Sequence, residues 1–480
     1  MVVDALYDSL TRWDADLAVQ PATAARWESR RRGRRWRFFL RPGAVFHDGT
    51  PVTAASFVAA WTDLARGGAA HHHLRDVVGY RDLRRGDQGP LRGLRALDDG
   101  TLEVRLTAPN AEFPAVAGHP ALGPAPASAR DDPDFGDRPV GNGPFRMAEP
   151  WAHGRFVRLT RVAAGVETGT GTPLDEVIFR IQDAEGGYIA YEQGRVDVAT
   201  VPAGALQARH EQGRERTAVY AGPGLLRGRL AATYFLLFDT GRAPFDSRAV
   251  RRAISQALDR RAIVNQAFEG NAGLGLSVVP PMLPGARQRT CLECVHDPAA
   301  ARRALRQARL DEIDLWISEG GEHERVARQV AADLGAVGVR VRIRAVAPQE
   351  YVAALRRGRP GLYRFGWSVD YPTLDNALRP LFHSQAAPES GGANFSRYAD
   401  AQVDALLDRA RSTADSARRL ALQRRAEDII VGRDQAIIPV VNPRRRTLVA
   451  QRVRGLAFGP LGTADLGRVR VVDRGTGTGP

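Results

Sequence analysis

The sequence contains no lysine, few sulfur-containing residues and no apolar run long enough to cross a membrane. A membrane-spanning helix needs about 20 consecutive apolar residues, so the chain is predicted to be a soluble globular protein. All 68 basic residues are arginine, and the formal net charge is +14. A basic chain can bind nucleic acid. Neither zinc-finger spacing nor an RNA-binding aromatic motif accompanies the arginines, so we interpret them as a solvated surface and expect no nucleic-acid partner.

Motifs typical of catalysis are also missing. The chain has no G-x-S-x-G elbow, no P-loop, no H-E-x-x-H and no evident nucleophile–base pair. We therefore expect a protein that is not an enzyme and that needs no cofactor. His71, His72 and His73 suggest a metal site, but adjacent helical residues point in different directions. We interpret the three histidines as solvated surface and predict no metal.

The two cysteines, Cys291 and Cys294, form a single C-x-x-C pair. One pair cannot supply the four ligands of a structural zinc site. The pair follows a stretch rich in proline and glycine, at 280–285, rather than the βαβ context of a redox motif. A structural disulfide of an exported protein, two free thiols and a redox pair are the alternatives, in that order.

Strand and helix patterns are mixed along the whole chain. Alternating apolar residues at 36–40 predict a half-buried strand, and Thr53 is a plausible N-cap for a helix with one apolar stripe. The continuous apolar run at 234–238 predicts a strand buried on both faces. Since no internal repeat is present, the predicted class is α/β.

Six ordered segments resemble the signatures of one protein family. They are 6–10 (LYDSL), 36–54 (WRFFLRPGAVFHDGTPVTA), 94–106 (LRALDDGTLEVRL), 140–145 (VGNGPF), 245–263 (FDSRAVRRAISQALDRRAI) and 366–372 (GWSVDYP). Together they are similar to the bacterial solute-binding proteins of family 5, the oligopeptide- and dipeptide-binding proteins of ABC transporters. The order of the six matches along nearly the whole chain is what makes the resemblance specific.

This resemblance implies a periplasmic-binding-protein fold of type II, with two hinged α/β lobes and an inserted third domain. By analogy, lobe I comprises 1–50, 141–240 and 450–480, the insert 51–140, and lobe II 241–449. Family members also carry a signal peptide, often a lipoprotein one, and an opening strand, and neither is visible here. We expect a misplaced or trimmed start rather than a cytoplasmic member, and a location in the periplasm or on the outer face of the membrane.

The function that the resemblance implies is capture of a peptide between the lobes and its delivery to the ABC permease, by a monomer. A family 5 binder of another solute, such as an oligosaccharide, nickel or an opine, is one alternative. A solute-sensing domain without transport is another.

The resemblance also assigns roles to individual residues. Asp370 matches the family aspartate that pairs with the ligand's α-ammonium, through a charge-assisted bond worth about 1.5–3 kcal/mol. Its structural alternative is a helix N-cap or turn residue, and for Trp367 it is an ordinary core position. Arg364 matches a position near the ligand carboxylate. The residues placed at the ligand in this way are Asp370, Trp367, Gly366, Arg364, Tyr351 and Asp8.

Overall fold

The computed structural model describes residues 1–130, 132–162, 173–202, 205, 224–358 and 361–472. Residues 473–480, the end of the last segment predicted for lobe I, lie outside this part of the chain. The described strands are β1 Thr11–Trp13, β2 Val19–Pro21, β3 Ala24–Arg30, β4 Arg35–Leu40, β5 Leu94–Asp98, β6 Thr101–Arg105, β7 Phe145–Met147, β8 Phe156–Arg161, β9 Glu176–Arg180, β10 Val198–Thr200, β11 Gly224–Arg229, β12 Ala232–Leu237, β13 Ala272–Leu274, β14 Glu312–Ser318, β15 Arg340–Val346, β16 Leu362–Ser368, β17 Ile438–Val449, β18 Val453–Arg454 and β19 Arg470–Val471.

Helices are interspersed among these strands, as an α/β fold requires. The described α-helices are α1 Val2–Leu6, α2 Ala54–Gly67, α3 Tyr80–Arg84, α4 Phe113–Val116, α5 Ala184–Glu192, α6 Arg248–Ala257, α7 Arg260–Phe268, α8 Pro298–Gln307, α9 Gly321–Ala336, α10 Pro348–Arg357, α11 Leu374–Phe382, α12 Ala401–Arg411 and α13 Ser416–Glu427. Within the described ranges, no helix has the length and apolar character needed to cross a bilayer.

The N-terminal unit, residues 10–122, is built on an antiparallel sheet with the strand order β3–β4–β6–β5. Phe38 of β4 shares a core with Phe57 and Trp61 of α2, and all three side chains are fully buried. Helix α2 begins after Thr53, as predicted, and the Ser56 hydroxyl accepts a hydrogen bond from the Thr53 N–H at 3.2 Å. Because β4 pairs with β6, this sheet extends across the boundary predicted at residue 50.

The central unit, residues 232–449, is built on strands β17–β12–β16–β14–β15 of the largest sheet, to which β10 from an earlier segment is added beside β17. Every residue of β12 is buried. Tyr234 and Leu236 belong to one hydrophobic core and Phe235 and Leu237 to another, which confirms the predicted burial of this strand on both faces. Strand β12 pairs with β16, so this sheet crosses the boundary predicted at residue 240.

Strand β17 links the central unit to the rest of the chain. Its first residues pair with β12 and β13, and its last residues pair with β10 and β11. A separate sheet, β7–β8–β9, shares a small core with α1 through Leu6, Phe145 and Leu159. The long strand and this second sheet give the two-lobed α/β architecture that the resemblance implies.

The two cysteines lie in the core of the central unit. Their sulfur atoms are bonded, their Cα atoms are 5.3 Å apart, and Cys291 is fully buried. The bond closes a short loop, and the Gln435 side chain contacts the Cys291 sulfur. Burial of this kind is typical of a structural disulfide rather than of a reactive pair.

Candidate ligand-binding site

A pocket of about 450 Å³ lies where β14 and β16 end and β12 begins. Strands β14 and β16 are parallel, so their carboxyl ends meet at this edge of the central sheet. Ligands of open α/β sheets bind at this kind of edge. Helix α10 forms one side of the pocket through Tyr351 and Leu355, and the start of α9 contributes Glu322.

Four of the six residues that the sequence places at the ligand line this pocket. They are Tyr351, Arg364, Gly366 and Trp367, three of them consecutive or nearly so on β16. Asp370 and Asp8 do not line it. The pocket therefore brings Arg364, expected near the ligand carboxylate, together with the residues expected along the cleft wall. Asp370, the expected partner of the ammonium, lies outside it.

Arg364 carries the cationic group of the pocket. Its guanidinium lies 5.0 Å from the centre of the Tyr234 ring, in a cation–π contact. The Tyr351 hydroxyl donates a hydrogen bond to the main-chain oxygen of Arg364, which ties α10 to β16. Within the described residues, the buried Nε of Arg364 has no hydrogen-bond partner. The guanidinium thus lies at the pocket beside an aromatic ring, at the position that the resemblance places near the ligand carboxylate.

Gly366 and Trp367 shape the wall of the pocket. A Cβ atom on Gly366 would meet its nearest neighbour, the Thr233 oxygen, at 3.4 Å, so the folded backbone does not itself require glycine there. The missing side chain instead leaves space at the mouth of the pocket. The Trp367 indole N–H donates to the main-chain oxygen of Asn376 at 2.8 Å, and its ring packs against the core. Trp367 is thus a partly buried residue that packs against the core and forms part of the pocket wall.

Glu322 is a pocket residue that the sequence analysis did not single out. Burial raises the pKa of its carboxyl group, while Arg446, Arg325 and Arg364 act to lower it. Glu322 lies in the first turn of α9, just beyond the carboxyl end of β14. Its place in the pocket depends on the parallel pairing of β14 with β16, so no local sequence signal marks it.

Asp370 lies in the turn after β16. Its main-chain N–H donates to Asn376 Oδ1 at 2.9 Å, and the N-cap of the following helix is Thr373. Of the structural alternatives for Asp370, the helix cap is therefore wrong, whereas the position in a turn agrees with the structure. The carboxylate is one-third exposed and lies 3.8 Å from His72 Nε2. Burial acts to raise the Asp370 pKa, but His72, His73 and the other nearby imidazoles outweigh burial and lower it.

The histidine triplet is not uniformly solvated. His71 Nδ1 is hydrogen-bonded to the Tyr80 hydroxyl, and the half-exposed His72 faces Asp370. His73 is 8% exposed, with its ring centre 4.1 Å from that of His119. The expectation of a solvated surface is wrong for His73, because the turn His71–Leu74 packs into the core of the N-terminal unit.

Asp8 lies apart from the pocket, near the start of the chain. Its main-chain N–H donates to Asn142 Oδ1 and its main-chain oxygen accepts from Asn142 Nδ2, both at 3.0 Å. Burial raises the pKa of the Asp8 carboxyl to about 6, and Arg12 partly opposes this shift. The structure thus fixes the Asp8 backbone without placing its carboxylate among the lining residues.

Comparisons with known proteins give one consistent result. The profile of the bacterial extracellular solute-binding proteins, family 5, matches residues 18–389. The dipeptide-binding protein DppE of Bacillus subtilis is 26% identical to this chain, over 96% of the chain and 86% of DppE. The probable deoxycholate-binding periplasmic protein YgiS of Escherichia coli is 28% identical, over 91% of the chain and 82% of YgiS.

A solved structure shows the same fold. The clavulanic acid biosynthesis oligopeptide binding protein 2 superposes with a TM-score of 0.84 at 23% identity, over 98% of this chain and 91% of that one. The family profile covers well over half of the sequence, and the segments that first suggested the family are distributed through the folded units described above. The chain therefore belongs to the bacterial extracellular solute-binding proteins of family 5.

Proposed function

We propose that this protein is the extracytoplasmic solute-binding component of an ABC importer, and that it captures a short peptide between its lobes and presents it to the permease. Family membership supports a binding role rather than catalysis, and the family's extracellular character supports the location. The likeness to the dipeptide-binding protein of Bacillus subtilis supports a peptide as the ligand.

The free edge of β16 is the observation that carries this proposal. Within the described residues, β14 pairs with β16 only at Leu362 and Tyr363. From Gly366 to Ser368, the main chain of β16 therefore has no strand partner on the side that borders the pocket. An extended peptide can add to such an edge through main-chain hydrogen bonds that do not depend on its sequence.

The charges around this edge match the two ends of a peptide. Arg364 can donate to the terminal carboxylate, since charge-assisted bonds to guanidinium are strong and directional. Two carboxylates are candidates for the terminal ammonium: Glu322, inside the pocket, and Asp370, in the turn that follows β16. We assign the ammonium to Asp370, because the family resemblance places this residue at the ligand ammonium and its carboxylate is one-third exposed, whereas burial raises the pKa of Glu322.

Binding of a free peptide and of its N-acetylated form tests this assignment. Asp370→Asn is expected to weaken binding of a free alanine tripeptide by about tenfold or more, since a charge-assisted hydrogen bond is lost. Acetylation removes the ammonium and should weaken binding to the wild type by a similar factor. It should have little further effect on the variant, because the two changes remove the same interaction. Isothermal titration calorimetry measures all four combinations.

Two further variants, Glu322→Gln and Glu350→Gln, are measured with the same two peptides. Glu350 is exposed on α10 and does not line the pocket, so its replacement should leave the affinity unchanged. Coupling between acetylation and Glu322→Gln, instead of Asp370→Asn, would move the ammonium site into the pocket. Equal affinity of the wild type for the free and the acetylated peptide would refute recognition of the ammonium altogether.

A further inference from the structure

Three groups able to ligate a metal converge outside the pocket, where the N-terminal unit faces the turn after β16. One ligand atom from each of His72, His73 and Asp370 lies within 4.8 Å of the other two. The histidines lie on the short helical turn His71–Leu74, and Asp370 belongs to the central unit. Two parts of the chain that are distant in sequence thus contribute to one cluster.

The donor set is the one that borderline divalent metals prefer. Imidazole nitrogen suits zinc, nickel and copper, and a carboxylate oxygen often completes their coordination. Donor atoms bonded to one such ion at about 2.0–2.2 Å lie roughly 3.5 Å from each other. Shifts of about 1 Å would therefore close the present cluster around an ion. The side chains of His72 and Asp370 are 50% and 34% exposed, so both have room to move.

The hydrogen bonds around the cluster decide which histidines can ligate. His71 is held away by its bond to the Tyr80 hydroxyl. His119 Nδ1 accepts the Ala121 N–H, so the proton of the neutral ring lies on Nε2. His119 can therefore donate to a neighbouring acceptor, but it is not a ligand. Among the described residues, no hydrogen bond engages a ring nitrogen of His73.

The cluster supplies fewer donors than a tetrahedral ion needs. Metal ions bind neutral imidazole and ionised carboxylate without displacing a proton. Because two imidazoles and one carboxylate leave at least one coordination position open, water or an external ligand can occupy it.

We propose that His72, His73 and Asp370 form a binding site for a divalent transition metal ion of the zinc, nickel or copper class. The site would connect the N-terminal unit to the central unit. Asp370 is also the proposed partner of the peptide ammonium, but the metal site does not rest on that function, since the protein supplies all three of the proposed ligands without a peptide.

Titration of the peptide-free full-length protein with Co²⁺, after treatment with a chelator, tests the site. Co²⁺ bound by imidazole and carboxylate in a four-coordinate site gives visible absorption bands, and Zn²⁺ should abolish them by competition. His72→Gln removes one ligand from an exposed position, with little risk to folding. It should weaken Co²⁺ binding by more than about tenfold. His71→Gln is the matched control and should leave the spectrum and the affinity unchanged.

Three outcomes would overturn the metal site: no Co²⁺ bands with the wild type, equal affinity of His72→Gln and wild type, or an equal loss of affinity in His71→Gln. Thermal unfolding of each variant shows that it is folded. Peptide affinity measured with chelator present keeps the two proposals separate. A protein that binds the tripeptide but not Co²⁺ would remove only the metal site, and one that binds Co²⁺ but not the tripeptide would remove only the proposed function.

Discussion

Replacing Arg251 with methionine is expected to lower the free energy of unfolding of the central unit by about 3–5 kcal/mol. The Arg251 side chain is almost fully buried, at 4% exposure. Its guanidinium donates to the main-chain oxygens of Phe245 at 2.7 Å, Asp246 at 3.1 Å, Asp434 at 3.1 Å and Gln435 at 3.2 Å. One side chain thus satisfies carbonyl groups from two segments that are far apart in sequence.

The size of this effect comes from the carbonyl groups that lose their hydrogen-bond donor when methionine replaces Arg251. Methionine fills much of the same volume, so the cavity contribution is small. The carbonyl groups would stay buried without donors, and each unsatisfied buried polar group costs about 1–3 kcal/mol. Partial relaxation of the two segments would limit the sum to the stated range.

Calorimetric unfolding measures the change. For a unit of this size, about 1 kcal/mol corresponds to roughly 2–4 °C in Tm, so a decrease of about 6 °C or more is expected. Arg261→Met is the control, because Arg261 is exposed on the next helix and exposed substitutions usually change stability by less than about 0.5 kcal/mol. Equal Tm values for the two variants would show that the buried hydrogen bonds contribute little.

Arg251 also illustrates what the sequence could predict. The segment 245–263 resembles the family signature, and its helical stripe predicts α6 and its buried apolar face. The pattern cannot distinguish the buried Arg251 from the partly exposed Arg252, because both are cationic and adjacent. The distinction depends on carbonyl groups from residues 434 and 435, whose position is set by the tertiary fold.

The residues of the candidate site likewise fall into those that the sequence could predict and those that it could not. Arg364, Gly366 and Trp367 could be predicted because they belong to one strand, and a single local signature marks them. Glu322 could not, because it reaches the pocket only through the parallel pairing of β14 with β16. The sequence pattern places His73 on the surface for a related reason. Local geometry separates adjacent side chains on a helix, but it does not show which of them packs against His119.

Replacing Glu112 with glutamine is expected to remove a loss of stability that the wild type shows between about pH 4.5 and pH 7. Burial and the nearby Asp375 carboxylate raise the pKa of Glu112 to about 7, against the lowering effects of Arg419 and Arg411. The Glu112 side chain is 12% exposed, and its Oε2 accepts a hydrogen bond from Gln423 Nε2 at 2.9 Å. Folding thus favours the protonated carboxyl.

The direction of the pH effect follows from this difference in pKa. Below pH 4.5 the carboxyl is protonated in both the folded and the unfolded chain, so its stabilising contribution is fully present. As the pH rises towards 7, the unfolded chain loses the proton while the folded chain retains it, and about 2–3 kcal/mol of stability is lost. Glutamine cannot ionise, so the Glu112→Gln variant should lack this loss and should be the more stable protein at pH 8.

Unfolding temperatures measured from pH 4.5 to pH 8 provide the test, with Glu350→Gln as an exposed control whose profile should parallel that of the wild type. Parallel profiles for Glu112→Gln and the wild type would show that Arg419 keeps the folded carboxyl ionised. Glu112 belongs to the N-terminal unit, whereas Arg419 and Gln423 lie on α13 of the central unit. The Asp76–Arg411 ion pair joins the same two units. The pH dependence therefore reports on the contact between the N-terminal and the central unit. Sensitivity to proteolysis should rise with pH in the wild type and not in the variant.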